Sequence, residues 1–280
     1  LSGGSQLRTG YVVDGGDIRL RSGVVAGRAT GLGTSDTVLD SSTLIRRDGA
    51  VVDISGASTY LDRANVFGAY APYLEWSAAG TISALGGGSL GTTVINAHGG
   101  APQAEGGTLE WLNPTVGTTL NGGADYLVAG AITGSGFDTL IARASLTLDG
   151  SFALTLRKAL MVISRDSTLP NSPLSDSPVS ILATSGTNAA IGAGYVRFAS
   201  RGGTALVSGP AGDARVTFFA GSQGMDLAGG IAFGRSISSL ALSTAGDLRL
   251  IGVNDTGNAT QVAYNGQLIA GGDLLIDARR

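Results

Sequence analysis

The sequence predicts an all-β chain wound as a parallel β-solenoid, with loops that project from the coil. Three observations predict it. Glycine supplies 46 of the 280 residues, about 16% against a usual value near 7%. The helix formers Lys and Glu are almost missing. Lys158 is the one lysine among 18 basic residues, and Glu75, Glu105 and Glu110 are the only glutamates among 21 acidic residues. Third, short runs rich in β-branched and aromatic residues recur between Gly, Asn, Asp or Ser.

The runs, in chain order, are Gly16–Leu20, Ala50–Ile54, Thr81–Leu85, Thr92–Asn96, Thr108–Leu112, Ser145–Leu148 and Phe152–Leu156. Several alternate with period two. Leu146 and Leu148 face one side and Thr147 the other, and Leu248 and Leu250 bracket an outward Arg249. Asp14-Gly15, Asp48-Gly49, Asn121-Gly122, Asp149-Gly150 and Asn265-Gly266 are turn dipeptides suited to positive φ. One element repeats: Gly-Asp followed by a strand, at Gly16-Asp17, Gly212-Asp213, Gly246-Asp247 and Gly272-Asp273. Its irregular spacing fits a coil with variable loops. A sandwich or barrel has comparable strand density and stays open. The near-absence of helical crossovers disfavours an α/β fold. At ~20–25 residues per coil the chain makes about 11–14 coils, a rod of roughly 55–65 Å.

The whole chain, 1–280, reads as a single solenoid segment. It opens at Leu1 with no Met or apolar signal segment and stops at Arg280 just after a strand-like run, so a longer parent is expected. An apolar fraction of 43% argues against disorder, and a net charge of −3 gives no drive toward nucleic acid or an anionic membrane. No apolar run reaches the ~18 residues of a membrane-spanning helix. Zero cysteines exclude disulfides and thiolate metal sites.

Two stretches break the pattern. Residues 60–76 hold five of the 16 aromatic residues: Tyr60, Phe67, Tyr70, Tyr73 and Trp76. Residues 165–178 gather three of the seven prolines among serines and read as an exposed loop. The aromatic excursion is the best binding candidate, with Tyr70, Tyr73 and Trp76 as its ligand-facing residues. Exposed Tyr and Trp rings stack on sugars or anchor partner proteins; the competing reading buries them against the flank.

Other motifs fail on context. Gly86–Gly91 matches G-x-G-x-x-G, and Gly87–Gly91 matches G-x-S-x-G, but a strand follows where both chemistries need a helix. His98 is the only histidine, and no acid lies between it and Ser89. Gly134–Leu140 resembles one calcium-binding β-roll nonapeptide. Its neighbour at Gly122–Leu127 is imperfect, and Asp125 and Asp138 are too far apart in sequence for that repeat. Asp36, Asp40, Asp53 and Asp62 converge only through stacking. No catalytic residue, metal or cofactor is therefore expected, and the chain is read as no enzyme.

Residues 246–255 (Gly-Asp-Leu-Arg-Leu-Ile-Gly-Val-Asn-Asp) and 266–278, with the similar texture of 49–56 and 81–88, resemble the large filamentous-haemagglutinin-like exoproteins of Gram-negative bacteria. The resemblance implies a right-handed parallel β-helix. It also implies two-partner secretion through an outer-membrane β-barrel transporter, and a secreted or cell-surface role as adhesin or filament. A surface receptor or glycan is the expected partner. Two alternatives are a glycan-active β-helix enzyme and a passive spacer in a toxin-delivery exoprotein. Three or more convergent acids in a groove would favour the enzyme.

Overall fold

A computed structural model describes residues 7–20, 51–85, 93–118, 125–164, 177–201, 207, 209–254, 263–264 and 266–278. Among these residues the structure is all-β apart from one helix, Ala129–Gly134. Each of the seven runs predicted above contains a strand or lies within one. Phe152–Leu156, for example, sits inside the 13-residue strand Ser151–Ile163.

Two wholly parallel sheets organise most of these strands, while Val51–Asp53 pairs in parallel with Val94–Asn96 as a separate two-stranded sheet. The main path of the long sheet runs through Asp17–Leu20, Thr81–Ala84, Gly107–Leu112, Phe137–Arg143, Ser151–Ile163, Asn188–Ala199, Ala214–Ala220, Ile237–Thr244 and Asp273–Ala278. Met225–Ala228 and Leu248–Ile251 extend it from the second half of Asn188–Ala199. The second sheet orders Gln267–Ala270, Gly230–Phe233, Val179–Ala183, Ser145–Asp149, Thr115–Gly117 and Tyr126–Val128. From Phe137 to Ala199 the chain alternates strictly between the two sheets. Single-residue turns make two of these passages. Ala144 adopts φ +68° and Gly150 adopts φ +80°, left-handed geometry that is cheap for glycine and costs about 1 kcal/mol or more elsewhere.

The register stacks like on like. Ile18, Ile82, Leu109, Leu140, Leu160, Val196, Met225 and Leu248 are successive neighbours across eight strands. Trp111 lies between Ala84 and Ala142 in the adjacent column, and all three are fully buried. Two methyl side chains leave the room that an indole needs, so the column keeps close packing. Phe198 and Phe218 of the long sheet, 5.1 Å apart between ring centroids, meet Phe233 of the second sheet at 5.7 and 6.1 Å. One apolar core therefore joins the two sheets.

Four expectations change. The expected 11–14 coils meet nine strands on the main path among the described residues. Sequence steps between neighbours on that path run from 20 residues (Thr139 to Ala159) to 64 (Asp17 to Thr81), because excursions lengthen many turns. Of the turn dipeptides, Gly150 has positive φ, whereas Gly15 and Gly266 do not. Gly15 is needed instead because a Cβ there would overlap the Ile54 carbonyl. Leu250 is 66% exposed, since Leu248–Ile251 is an edge strand with pairing on one side only. Three of the four Gly-Asp copies, those at Gly212, Gly246 and Gly272, have a packing reason as well, whereas a Cβ on Gly16 would meet open space. A Cβ on Gly212 or Gly246 would lie 2.6 or 2.5 Å from the carbonyl of Ser236 or Ser222. Residues 86–92, 165–176, Asp36, Asp40, Asp48-Gly49 and Asn121-Gly122 lie outside the described residues.

Glycine pairs also pack turn against turn at the foot of the aromatic excursion. A Cβ on Gly56 would overlap the Ser77 carbonyl, and one on Gly100 would overlap the Ala57 carbonyl. Gly100→Ala is expected to destabilise the fold by about 2–3 kcal/mol, because backbone rather than a flexible side chain must move. Circular-dichroism melts check this, and an unchanged midpoint contradicts the packing.

Candidate functional site

The aromatic excursion is an antiparallel hairpin of Ser58–Ala64 and Tyr70–Trp76, with Ser58 opposite Trp76 and Ala64 opposite Tyr70. It leaves the parallel sheets at the Gly56 turn. There Ala57 N–H donates to Ser77 Oγ at 2.9 Å, and Gly100 N–H donates to the Ser77 carbonyl at 2.9 Å. Alternating β-formers make the arms, and the sequence Asn65-Val66-Phe67-Gly68-Ala69 makes the turn. The Asn65 carboxamide oxygen accepts from Phe67 N–H at 2.9 Å and Ala69 N–H at 3.1 Å. Gly68 takes φ +77°. Pro72 has no N–H to give and sits on the outer arm, a position where a strand tolerates it.

Strand alternation separates the three predicted ligand-facing residues. Trp76, Leu74, Pro72 and Tyr70 share one face with Tyr60, while Tyr73 shares the other with Leu61, Arg63 and Glu75. The structure still brings Tyr73 and Trp76 together, with ring centroids 6.5 Å apart and planes 26° apart. Tyr70 lies at the opposite end of the arm, beside the turn. Tyr70 and Tyr73 are exposed, and Trp76 is half-buried at the base. The Arg63 guanidinium covers the Tyr73 ring at 4.9 Å from its centroid and pairs with Glu75. The most exposed apolar residues of the hairpin are at its tip, Val66 at 92% and Phe67 at 91%. Sequence reasoning missed this tip, although the Asn65…Gly68 turn signal between two strand-like runs could have located it.

Arg8 crosses the edge of the inner arm. Its N–H donates to Asp62 Oδ2 at 2.7 Å, its Nη2 donates to Asp62 Oδ1 at 3.0 Å, and its carbonyl accepts from Asp62 N–H at 2.8 Å. The side-chain bond from Arg8, followed by the backbone bond, holds the Asp62 carboxyl below its usual range.

In the next turn along, the loop 98–106 borders a cleft of about 690 Å³ lined by His98, Pro102, Thr133, Phe137, Asp138 and Arg157. Its charges are engaged within the protein. Arg157 Nε donates to Asp138 Oδ2 at 2.8 Å, and Nη1 donates to the Pro102 carbonyl at 2.7 Å. Nη2 bonds the Ala104 carbonyl and Asp138. Asp138 Oδ2 also accepts from Gly106 N–H at 2.5 Å. Asp125, the other carboxylate of the β-roll-like stretch, accepts from Trp111 Nε1 at 3.0 Å. Among the described residues, no three His, Asp or Glu side chains converge as a metal site would require. His98 is exposed at the cleft.

A separate ladder crosses three neighbouring strands, Arg197, Asp226 and Arg249 in register. Tyr195 Oη donates to Asp226 Oδ2 at 2.5 Å, and Arg249 Nε donates to Oδ1 at 2.6 Å. Burial, then the bond to Asp226, pushes the Tyr195 hydroxyl up to about 12. A folded-state value above the unfolded value near 10 means that the proton is held longer in the folded chain. The contribution is intact below pH ~10 and is lost as pH rises toward 12. A 295-nm absorbance titration is expected to lose one late-titrating tyrosine when Tyr195 is replaced by Phe. A titration complete near pH 10 contradicts the buried bond.

Comparison with protein-family models, curated proteins and solved structures finds no match to this chain.

Proposed function

We propose that this chain is a stretch of the shaft of a secreted, surface-attached bacterial adhesin of the filamentous-haemagglutinin-like kind. In this reading the two sheets are the walls of one right-handed parallel β-solenoid, and the hairpin is its adhesive part. The observation that carries it is the repeated passage from one all-parallel sheet to the other and back, each return landing beside a strand already laid down. Right-handed winding is the general hand of parallel crossovers. Stacked backbone hydrogen bonds supply stiffness along the axis, and weak contacts repeated along such a shaft add as avidity. Transport unfolded through an outer-membrane β-barrel suits a chain without cysteines. No helix among the described residues is long and apolar enough to cross a membrane.

The test is attachment of beads coated with the purified chain to cells and to glycan arrays. Replacing Tyr70, Tyr73 and Trp76 together with alanine is expected to lower attachment at least tenfold while leaving the circular-dichroism spectrum intact. Unchanged attachment with an intact fold would make the chain a passive spacer.

A further inference from the structure

We infer that the hairpin tip is a lipid-docking element: Val66 and Phe67 enter an electrically neutral bilayer, and the tyrosines behind them rest at headgroup depth. The inference deepens the adhesive reading, on which it rests, by naming the surface that the hairpin touches.

Four observations carry it. The first is shape. Two adjacent apolar side chains, each more than nine-tenths exposed, occupy the very end of a hairpin whose paired arms are seven residues long, about 20 Å at strand rise. Exposed apolar groups on a projecting tip signal insertion or docking rather than scattered surface hydrophobes.

The second is the backbone. Hydrocarbon offers no partner to an N–H group, so an ordinary solvated loop resists entry. Here four of the five turn N–H groups are already satisfied within the turn. Asn65 N–H donates to the Ala69 carbonyl at 2.8 Å, and Gly68 N–H to the Asn65 carbonyl at 3.0 Å. Phe67 and Ala69 N–H donate to the Asn65 side chain. The turn keeps these bonds whether water surrounds it or not.

The third is charge. The hairpin carries Asp62, Arg63 and Glu75, and Arg8 joins its edge. Each acid is matched to an arginine, Asp62 to Arg8 and Glu75 to Arg63. The element is neutral and self-paired, which complements an uncharged surface. Anionic membranes instead select clusters of unpaired Lys or Arg.

The fourth is area. A phenyl ring and an isopropyl group bury roughly 150–250 Å² and somewhat less, respectively. A stable protein interface needs about 800 Å² from each side. The tip is too small to hold a second copy of the chain, but it is of the size that a lipid interface accepts. Tyr60, Tyr70 and Tyr73, each about half exposed, supply the amphipathic rings that settle at the membrane–water boundary.

Flotation of the full chain with extruded vesicles of pure phosphatidylcholine tests this. The wild-type chain is expected to float with them, unaffected by salt. The double substitution V66S/F67S is expected to weaken partitioning about 10- to 100-fold, with circular dichroism unchanged, and Phe67→Leu to restore most of it. Phe67→Trp is expected to show a blue-shifted emission on vesicle addition and quenching by brominated acyl chains. Three results would overturn the inference: no flotation of wild type, flotation that survives V66S/F67S, or flotation only with salt-sensitive anionic vesicles. Cell attachment measured in parallel separates the two readings. Attachment that depends on the hairpin without vesicle binding rejects lipid and keeps the adhesin. A wild-type chain that neither attaches to cells nor floats with vesicles rejects both.

Discussion

Glu110→Ala is expected to cost about 3–5 kcal/mol of unfolding free energy, the usual cost of leaving a buried charge without its partner. Glu110 and Arg143 are 6% and 3% exposed. Arg143 Nε donates to Glu110 Oε1 at 2.6 Å, and Ser83 Oγ donates to Oε2 at 2.6 Å. These three residues belong to three successive strands of the long sheet, so the carboxylate ties the strands together from the outward face of the column that carries Leu109 and Trp111. Removing the carboxylate takes the ion-pair partner from a guanidinium in a site with almost no water, whereas removing both charges does not. The double substitution E110L/R143M is therefore expected to recover most of the loss. Urea unfolding followed by circular dichroism reads both. Equal destabilisation by the single and double variants contradicts the account.

Phe218→Ala is expected to cost about 3–5 kcal/mol for a different reason: a cavity that the surrounding strands cannot close. Phe218 is fully buried. It stacks in register between Ile191 and Leu242 and meets Phe198 edge-on at 5.1 Å. It also lies 6.1 Å from Phe233 of the second sheet, so its loss loosens the junction between the sheets. Phe219 is the internal control. It sits one residue on, faces outward and is 46% exposed; Phe219→Ala is expected to change stability by under about 1 kcal/mol. Similar losses at both positions would contradict the alternation.

The sequence showed where strands lie far better than how they pair. Each run from Gly16–Leu20 to Phe152–Leu156 was bounded by turn residues that act locally, so its place was legible. The pairing of Trp111 with Ala84 and Ala142 was not, because what selects it is the volume of residues on distant strands. The same holds for Glu110 with Arg143, which at first sight are two isolated charges. At the candidate site, the aromatic density of 60–76 was visible, but alternation within the hairpin puts Tyr73 opposite Tyr70 and Trp76. Arg63 over Tyr73, and Arg8 on Asp62, arise from folded contacts that no spacing rule signals. The apolar tip at Val66 and Phe67 was not read from the sequence, because it depends on the turn that the Asn65 side chain and Gly68 close.

The parallel stacking of strands underlies every inference above, and the absence of native cysteine allows a clean test of it. Arg215, Ser239 and Asp273 are exposed and lie in register on three successive strands of the long sheet. Neighbouring Cα atoms there are about 4.8 Å apart, within disulfide reach. Mild oxidation is expected to cross-link R215C/S239C and S239C/D273C readily and R215C/D273C hardly at all. If neither neighbouring pair cross-links, or the outer pair does so as fast, the strands do not stack as described.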